Sequence, residues 1–219
     1  GMAKSLLRAG LRVRGYDINA AAVTQFQAAG GDGAGSVAAA ASGVDVLVVV
    51  VLNADQVTDV LFGKGAAAQA LPTGSVVLVC STVSPTFARQ TSEKLAALGR
   101  LMLDTPISGG TVRAAEGKLS IMVAGPDEVV AKAQPVLDAM AANIYRMGSE
   151  PGMGSTMKLV NQILAGSQIA LAAEALAFGV RAGLDPNQIY EVICNSAGGS
   201  FMFQNRVPHM INDDYTPHS

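Results

Sequence analysis

One short stretch of this 219-residue chain gathers groups able to move a proton: Gly152-Met153-Gly154-Ser155-Thr156-Met157-Lys158-Leu159-Val160-Asn161-Gln162. A glycine-rich turn feeds an uncharged, alanine-rich segment, and Lys158 sits about one turn into it. Asn161 and Gln162 follow at i+3 and i+4, so both amides share a helix face with the lysine. No other ionisable residue occurs between Lys158 and Glu174. An ammonium group in apolar surroundings has its pKa lowered and can serve as an acid or a base. A solvated surface lysine has no such use, and spacing alone does not separate the two. Glu174 lies about 160° around the same helix and faces elsewhere.

Three apolar runs end in small polar groups: Leu52-Asn53-Ala54, Ser81-Thr82-Val83 and Ser108-Gly109-Gly110. Where strands lead into helices, these ends are where an open α/β sheet binds ligands. Asn53 and Ser81 serve equally well as ordinary helix N-caps. Ser108-Gly109-Gly110 says more, because two glycines let backbone N–H groups approach a ligand beside a hydroxyl, which suits a carboxylate. Asp17 closes another predicted strand. It reads either as an N-cap or as the acid that bonds the ribose of a dinucleotide, a charge that disfavours a 2′-phosphate. No G-x-G-x-x-G turn accompanies it.

The elements that must position these groups emerge from periodicity. Helices are expected over 2–10, 20–29, 55–62, 64–70, 85–98, 111–117 and 126–140, and strands over 11–17, 44–52, 75–80, 101–104, 119–124 and 144–147. The run VDVLVVVVL over 44–52 needs cover on both faces, as in a central parallel strand. Alternation of strands and helices up to residue 147 predicts an α/β fold with a mainly parallel, doubly wound sheet. From 155 to 182 only isolated glycines interrupt a helical pattern roughly 40 Å long. Asp185-Pro186 starts a second helix, and 201–211 forms a third. The domains are expected to be 1–150 (α/β) and 151–219 (all-α).

Half of the residues are hydrophobic and 15% are charged, so core-forming material is ample. A net charge of −2 and a pI near 5.6 give no electrostatic case for nucleic acid or an anionic membrane. No uninterrupted apolar run reaches the length of a membrane span. Cys80 and Cys194 lie far apart and read as reduced thiols of a cytoplasmic protein. His209 and His218 lack companions at metal-ligand spacing. Arg206 has no local feature that assigns it a role. Both ends read as cut: Gly1-Met2-Ala3-Lys4 is already helical in pattern, and Tyr215-Thr216-Pro217-His218-Ser219 reads as a linker.

Asp104-Thr105-Pro106-Ile107-Ser108-Gly109-Gly110, followed about 45 residues later by Gly152-Met153-Gly154 with Lys158, Asn161 and Gln162, resembles the β-hydroxyacid dehydrogenase family. That family is 3-hydroxyisobutyrate dehydrogenase-like and related to 6-phosphogluconate dehydrogenase. The resemblance covers essentially the whole chain and implies a Rossmann-like domain followed by a helical one. It implies a small hydroxy-acid substrate and NAD in preference to NADP. It assigns Lys158 as catalytic acid/base with Asn161 assisting, and Ser108, Gly109, Gly110 and Gln162 as substrate contacts. Asp17, Leu52, Asn53 and Thr82 become cofactor contacts, and a homodimer or homotetramer is expected. The C-terminal run from Phe201 to Met210, with Asp214-Tyr215-Thr216-Pro217, is most similar to the L-threonate dehydrogenase branch. The absent glycine turn places the first strand of the nucleotide unit upstream of Gly1, and the helical domain is expected to extend past residue 219. Three other readings remain: a non-catalytic relative that binds or scaffolds, a tartronate semialdehyde reductase-like enzyme, and a decarboxylating sugar-phosphate dehydrogenase. The last needs basic residues for phosphate, and only Arg113 lies near the substrate loop.

Overall fold

The structure, a computed structural model, describes residues 1–216. Pro217, His218 and Ser219, to which the linker reading, the last position of the branch motif and one histidine reading belong, lie outside the described residues. Packing divides the chain into two compact units, one ending at Lys158 and one starting at Leu159.

The first unit runs α1 (Met2–Arg8), β1 (Arg14–Gly15), α2 (Ala20–Ala28), β2 (Asp32–Gly33), α3 (Val37–Ala41), β3 (Val46–Val49), α4 (Ala54–Phe62), α5 (Ala67–Ala70), β4 (Val76–Val79), α6 (Pro85–Ala97), β5 (Leu101–Asp104), β6 (Ile107–Ser108), α7 (Gly110–Glu116), β7 (Leu119–Val123), α8 (Asp127–Met140) and β8 (Ala141–Arg146). The helix α9 (Met153–Arg181) begins in this unit and continues into the next. Strands β3, β4 and β5 form a parallel three-stranded ladder, and β1 pairs in parallel with β2. The third ladder is mixed: β6 is antiparallel to β7, and β7 is parallel to β8. An antiparallel bridge between Asp104 and Ala124 ties the end of β5 to the end of β7.

Alternation along these strands builds two cores. Val76, Leu78 and Leu103 face one side, where they meet Leu6 of α1 and Val129, Val130, Ala133 and Leu137 of α8. Val77, Val79 and Met102 face the other, against Val57 and Leu61 of α4, Ala67 and Ala68 of α5, and Ala88 and Leu95 of α6. Helices therefore cover both faces, as the doubly wound reading requires.

Several expectations change. The strand read over 11–17 forms ladder pairs only at Arg14 and Gly15, and Tyr16, Asp17 and Ile18 are exposed beyond it. The 44–52 run forms a strand only over Val46–Val49. Both of its faces contribute to cores, as that run requires, and among the described residues it pairs with β4 alone. A β-branched run reports burial on its faces and carries no information about neighbours along the hydrogen-bonding direction. The short elements β2, α3 and β6 are too brief to give a periodicity and are not foreseeable from local pattern.

In the second unit α9 is followed by α10 (Pro186–Cys194) and α11 (Phe201–Ile211). Asp185 caps α10 by accepting from the N–H groups of Asn187 and Gln188, both at 3.0 Å. Ala172 and Leu176 of α9 pack with Phe203 and Val207 of α11, and Tyr190 stacks on Phe203. By length and composition alone α9 qualifies as a membrane span, with 11% of the qualifying window buried. Polar residues such as Lys158, Asn161, Gln162 and Ser167 interrupt it, so the expectation drawn from uninterrupted runs stands.

The start of α9 is seated against the ends of two strands. A Cβ on Gly154 would come within 2.5 Å of the Met122 carbonyl oxygen and 2.9 Å of that of Asp104. Both are backbone atoms and cannot swing aside. We predict that Gly154→Ala costs about 1–3 kcal/mol, the usual penalty of overpacking, read as a lower denaturant midpoint at unchanged slope.

Candidate functional site

Asp104 organises the site. It ends β5 with no solvent exposure. Its Oδ2 accepts the backbone N–H groups of Gly152 (2.9 Å) and Ser155 (2.8 Å), and its Oδ1 accepts the Ser155 hydroxyl at 2.7 Å. The carboxylate thus satisfies donors at the start of α9, where every helix has N–H groups without intrahelical partners. Burial raises the Asp104 pKa, and the hydrogen bonds from Ser155, Gly152 and Gly154 oppose that rise.

One turn beyond Ser155 on α9 is Lys158, 8% exposed. Burial lowers its pKa below the ordinary lysine value. Among the described residues it joins no ion pair. Asn161 and Gln162 lie farther along α9, and Asn161 Nδ2 donates to Gln162 Oε1 at 3.2 Å. Asn161 is half-buried and Gln162 exposed, so the three groups differ in environment although they share a helix face.

The strand that ends in Asp104 continues through Thr105 and Pro106 into Ser108, Gly109 and Gly110. Gly109 and Gly110 have φ of +139° and +68° and open α7. Neither is buried, and Ser108 is half-buried. This is an accessible turn whose backbone conformation suits glycine. Arg113 lies in the last turn of the same short helix.

The other candidate residues stand at carboxyl ends of parallel strands. Asp17 follows β1 and is exposed, with Oδ1 accepting from the Asn19 N–H at 2.8 Å. After β3, Asn53 caps α4 by accepting from the Gln56 N–H (3.0 Å), while Gln56 Oε1 accepts from the Leu52 N–H (2.8 Å). This reciprocal arrangement holds the Leu52 side chain 84% exposed. Thr82 follows β4 and is exposed. Ser81 is buried and accepts the Val51 N–H at 2.9 Å, so it braces the same loop and caps no helix; Ser84 caps α6. The residues fit a dinucleotide in part: an accessible carboxylate suits ribose hydroxyls, and a loop held by internal hydrogen bonds presents an apolar side chain that suits a flat ring.

Cys80, on the same strand end as Ser81, is buried, with Sγ 3.4 Å from Thr105 Oγ1. Burial first, and then the Asp104 charge, push its thiol up to about 12 against the hydrogen bond to Thr105. It is inert packing, as its place at a strand end suggests. No grouping of His, Cys, Asp and Glu suited to a metal occurs among the described residues. In the sequence Asp104 stands out only as the first residue of a motif, and neither Ser155 nor Gln56 draws attention.

Residues 1–148 match the NAD-binding domain of 6-phosphogluconate dehydrogenase, and residues 152–219 match the NAD-binding domain of NADP-dependent 3-hydroxyisobutyrate dehydrogenase. The L-threonate dehydrogenase of Cupriavidus necator is 48% identical over 99% of this chain and 73% of its own length. The 3-hydroxyisobutyrate dehydrogenase of Pseudomonas aeruginosa is 38% identical over 91% of this chain and 67% of its own. The crystal structure of 3-hydroxyisobutyrate dehydrogenase from Salmonella typhimurium superposes with a TM-score of 0.95 at 44% identity, covering 100% of this chain and 76% of that one. The chain belongs to the β-hydroxyacid dehydrogenase family of NAD(P)-binding oxidoreductases and lies beside its L-threonate dehydrogenase members.

Proposed function

We propose that this protein oxidises a small hydroxy acid, a four-carbon sugar acid such as L-threonate or a 3-hydroxyisobutyrate-like acid, with Lys158 as general base. The observation that carries this reading is a buried lysine without an ionic partner among the described residues, one turn from a helix start tied to the strand that leads into Ser108-Gly109-Gly110. The backbone turn at Gly109 and Gly110, with the Ser108 hydroxyl, holds the substrate carboxylate. Neutral Lys158 accepts the proton of the substrate hydroxyl, and returns it as ammonium in the reverse direction. Asn161 orients the reacting hydroxyl, with Gln162 beside it as a further substrate contact. Asp17 holds ribose hydroxyls, and its charge favours NAD over NADP. Leu52, Asn53 and Thr82 line the remainder of the cofactor's path. When bound, the nicotinamide supplies the hydride acceptor.

The same reading includes a homodimer or homotetramer, supported by the exposed apolar side chains of Leu164, Leu171 and Phe178 on α9. It also includes a cytoplasmic setting, supported by two free cysteines. The division into functional domains at about residue 150 follows the family matches, which meet between residues 148 and 152. L-Threonate is favoured over tartronate semialdehyde as the substrate type by the identity to L-threonate dehydrogenases.

Lys158→Ala is expected to lower turnover at least ~10²-fold, the low end for general acid–base help, while calorimetric NAD affinity stays within twofold or so of the parent. Unchanged turnover would remove Lys158 from its role. The pH dependence has a defined sign. A base must be neutral, so kcat/KM for oxidation rises with pH and levels off above the folded pKa of Lys158, below the ordinary value of about 10.4. Reduction needs the ammonium form and falls over the same interval. A panel of three- and four-carbon hydroxy acids, assayed with NAD and NADP, should give the highest kcat/KM with L-threonate and NAD. Asp17→Ala should narrow the difference between the two cofactors.

A further inference from the structure

The hydrogen bonds of Asp104 do more than satisfy a buried charge. They reach Gly152 and Ser155, 48 and 51 positions away in sequence, and fix the register of the first turn of α9. The residue before α9 is glycine, whose missing side chain cannot cap the helix, so the capping carboxylate comes from β5 instead. The backbone of Asp104 is held as well: its N–H donates to the Ala124 carbonyl (3.0 Å) and its carbonyl accepts from the Ala124 N–H (2.9 Å). The next two residues are tied in the same way, with Thr105 N–H donating to Val79 O at 3.0 Å and Pro106 O accepting from Met122 N–H at 3.1 Å. Gly154 lies close enough to this platform that a Cβ there would meet the Met122 and Asp104 carbonyl oxygens.

Two short paths leave Asp104. Past the end of β5 the chain reaches Ser108 four residues later. Through Ser155 the helix reaches Lys158 three residues later, about one turn. We propose that Asp104 is a positioning residue for Lys158, setting the reach of the amine relative to the Ser108-Gly109-Gly110 turn through its bonds to Gly152 and Ser155. It acts through the helix and touches no reacting atom. The inference rests on the reading of Lys158 as the acid/base. Misplacement of a reacting group by 1 Å from a distant change costs on the order of 10²-fold in rate, so a clamp this near the lysine governs kcat more than cofactor binding.

The test uses Asp104→Ala, Asp104→Asn and Ser155→Ala in the intact protein, assayed at temperatures where circular dichroism shows each variant folded. The side-chain amide introduced by Asp104→Asn keeps an oxygen for the two N–H donors and can donate to the Ser155 hydroxyl. Asp104→Ala is expected to lower kcat about 10²-fold with KM for NAD unchanged, and Asp104→Asn to recover most of that loss. Ser155→Ala keeps both backbone bonds and is expected to fold, with kcat lowered at least about threefold and KM for NAD unchanged. If Asp104→Ala does not fold, Ser155→Ala carries the test. Parental kcat in folded Asp104→Ala, or in Ser155→Ala, overturns the proposal and leaves Asp104 as a helix cap that affects only the melting temperature. Lys158→Ala separates the two ideas. If it keeps full turnover, the acid/base reading fails and this inference with it; if it loses turnover while Ser155→Ala does not, only the positioning role fails.

Discussion

A carboxylate removed from water must find its partners within the protein or cost several kcal/mol. Asp104 finds them at the start of α9, in two backbone N–H groups and one hydroxyl at 2.7–2.9 Å. The helix supplies more than donors, because its aligned peptide dipoles place partial positive charge at that end. Charge-assisted bonds of this length are the stronger kind. The rest of the unit depends on this junction: β5 delivers the carboxylate, the β5–β7 bridge holds its backbone, and Gly152 and Gly154 let the helix start come close enough to be capped.

The sheet around that junction is a two-sided support. Alternate residues of β4 and β5 feed opposite cores, so neither strand can slip by one residue without exchanging its buried faces. The candidate cofactor residues stand just past the strand ends, and hydrogen bonds brace the loop after β3: Gln56 to Leu52, Asn53 to Gln56 and Ser81 to Val51. Stability and exposure are thereby separated. Strand β4 is buried and β3 half-buried, while Asp17, Leu52, Asn53 and Thr82 beyond the strand ends stay accessible to a ligand.

Lys158 combines burial with the absence of an ion-pair partner among the described residues, and these two properties have different origins. Burial comes from its place one turn into a helix seated on strand ends. On its own helix α9 supplies no partner, since no other ionisable residue lies between Lys158 and Glu174. Burial lowers the lysine's pKa by desolvation.

Local chemistry was enough for much of this protein. The apolar run of β4, the Asp185-Pro186 helix start, the glycine pair after Ser108 and the isolated charge of Lys158 could all be read from neighbouring residues, and with them the α/β-then-α order and the family. What the sequence left open concerned partners distant along the chain. Pairing in a sheet is set by backbone groups common to every residue, so VDVLVVVVL did not disclose which strands β3 would pair with, nor did the alternation over 11–17 disclose that β1 would shrink to two residues. Asp104 could be seen as the acid at the end of a buried strand. That it caps a helix some fifty residues later was decided by tertiary structure, since a buried carboxylate accepts whatever donors the fold brings within 3 Å or so.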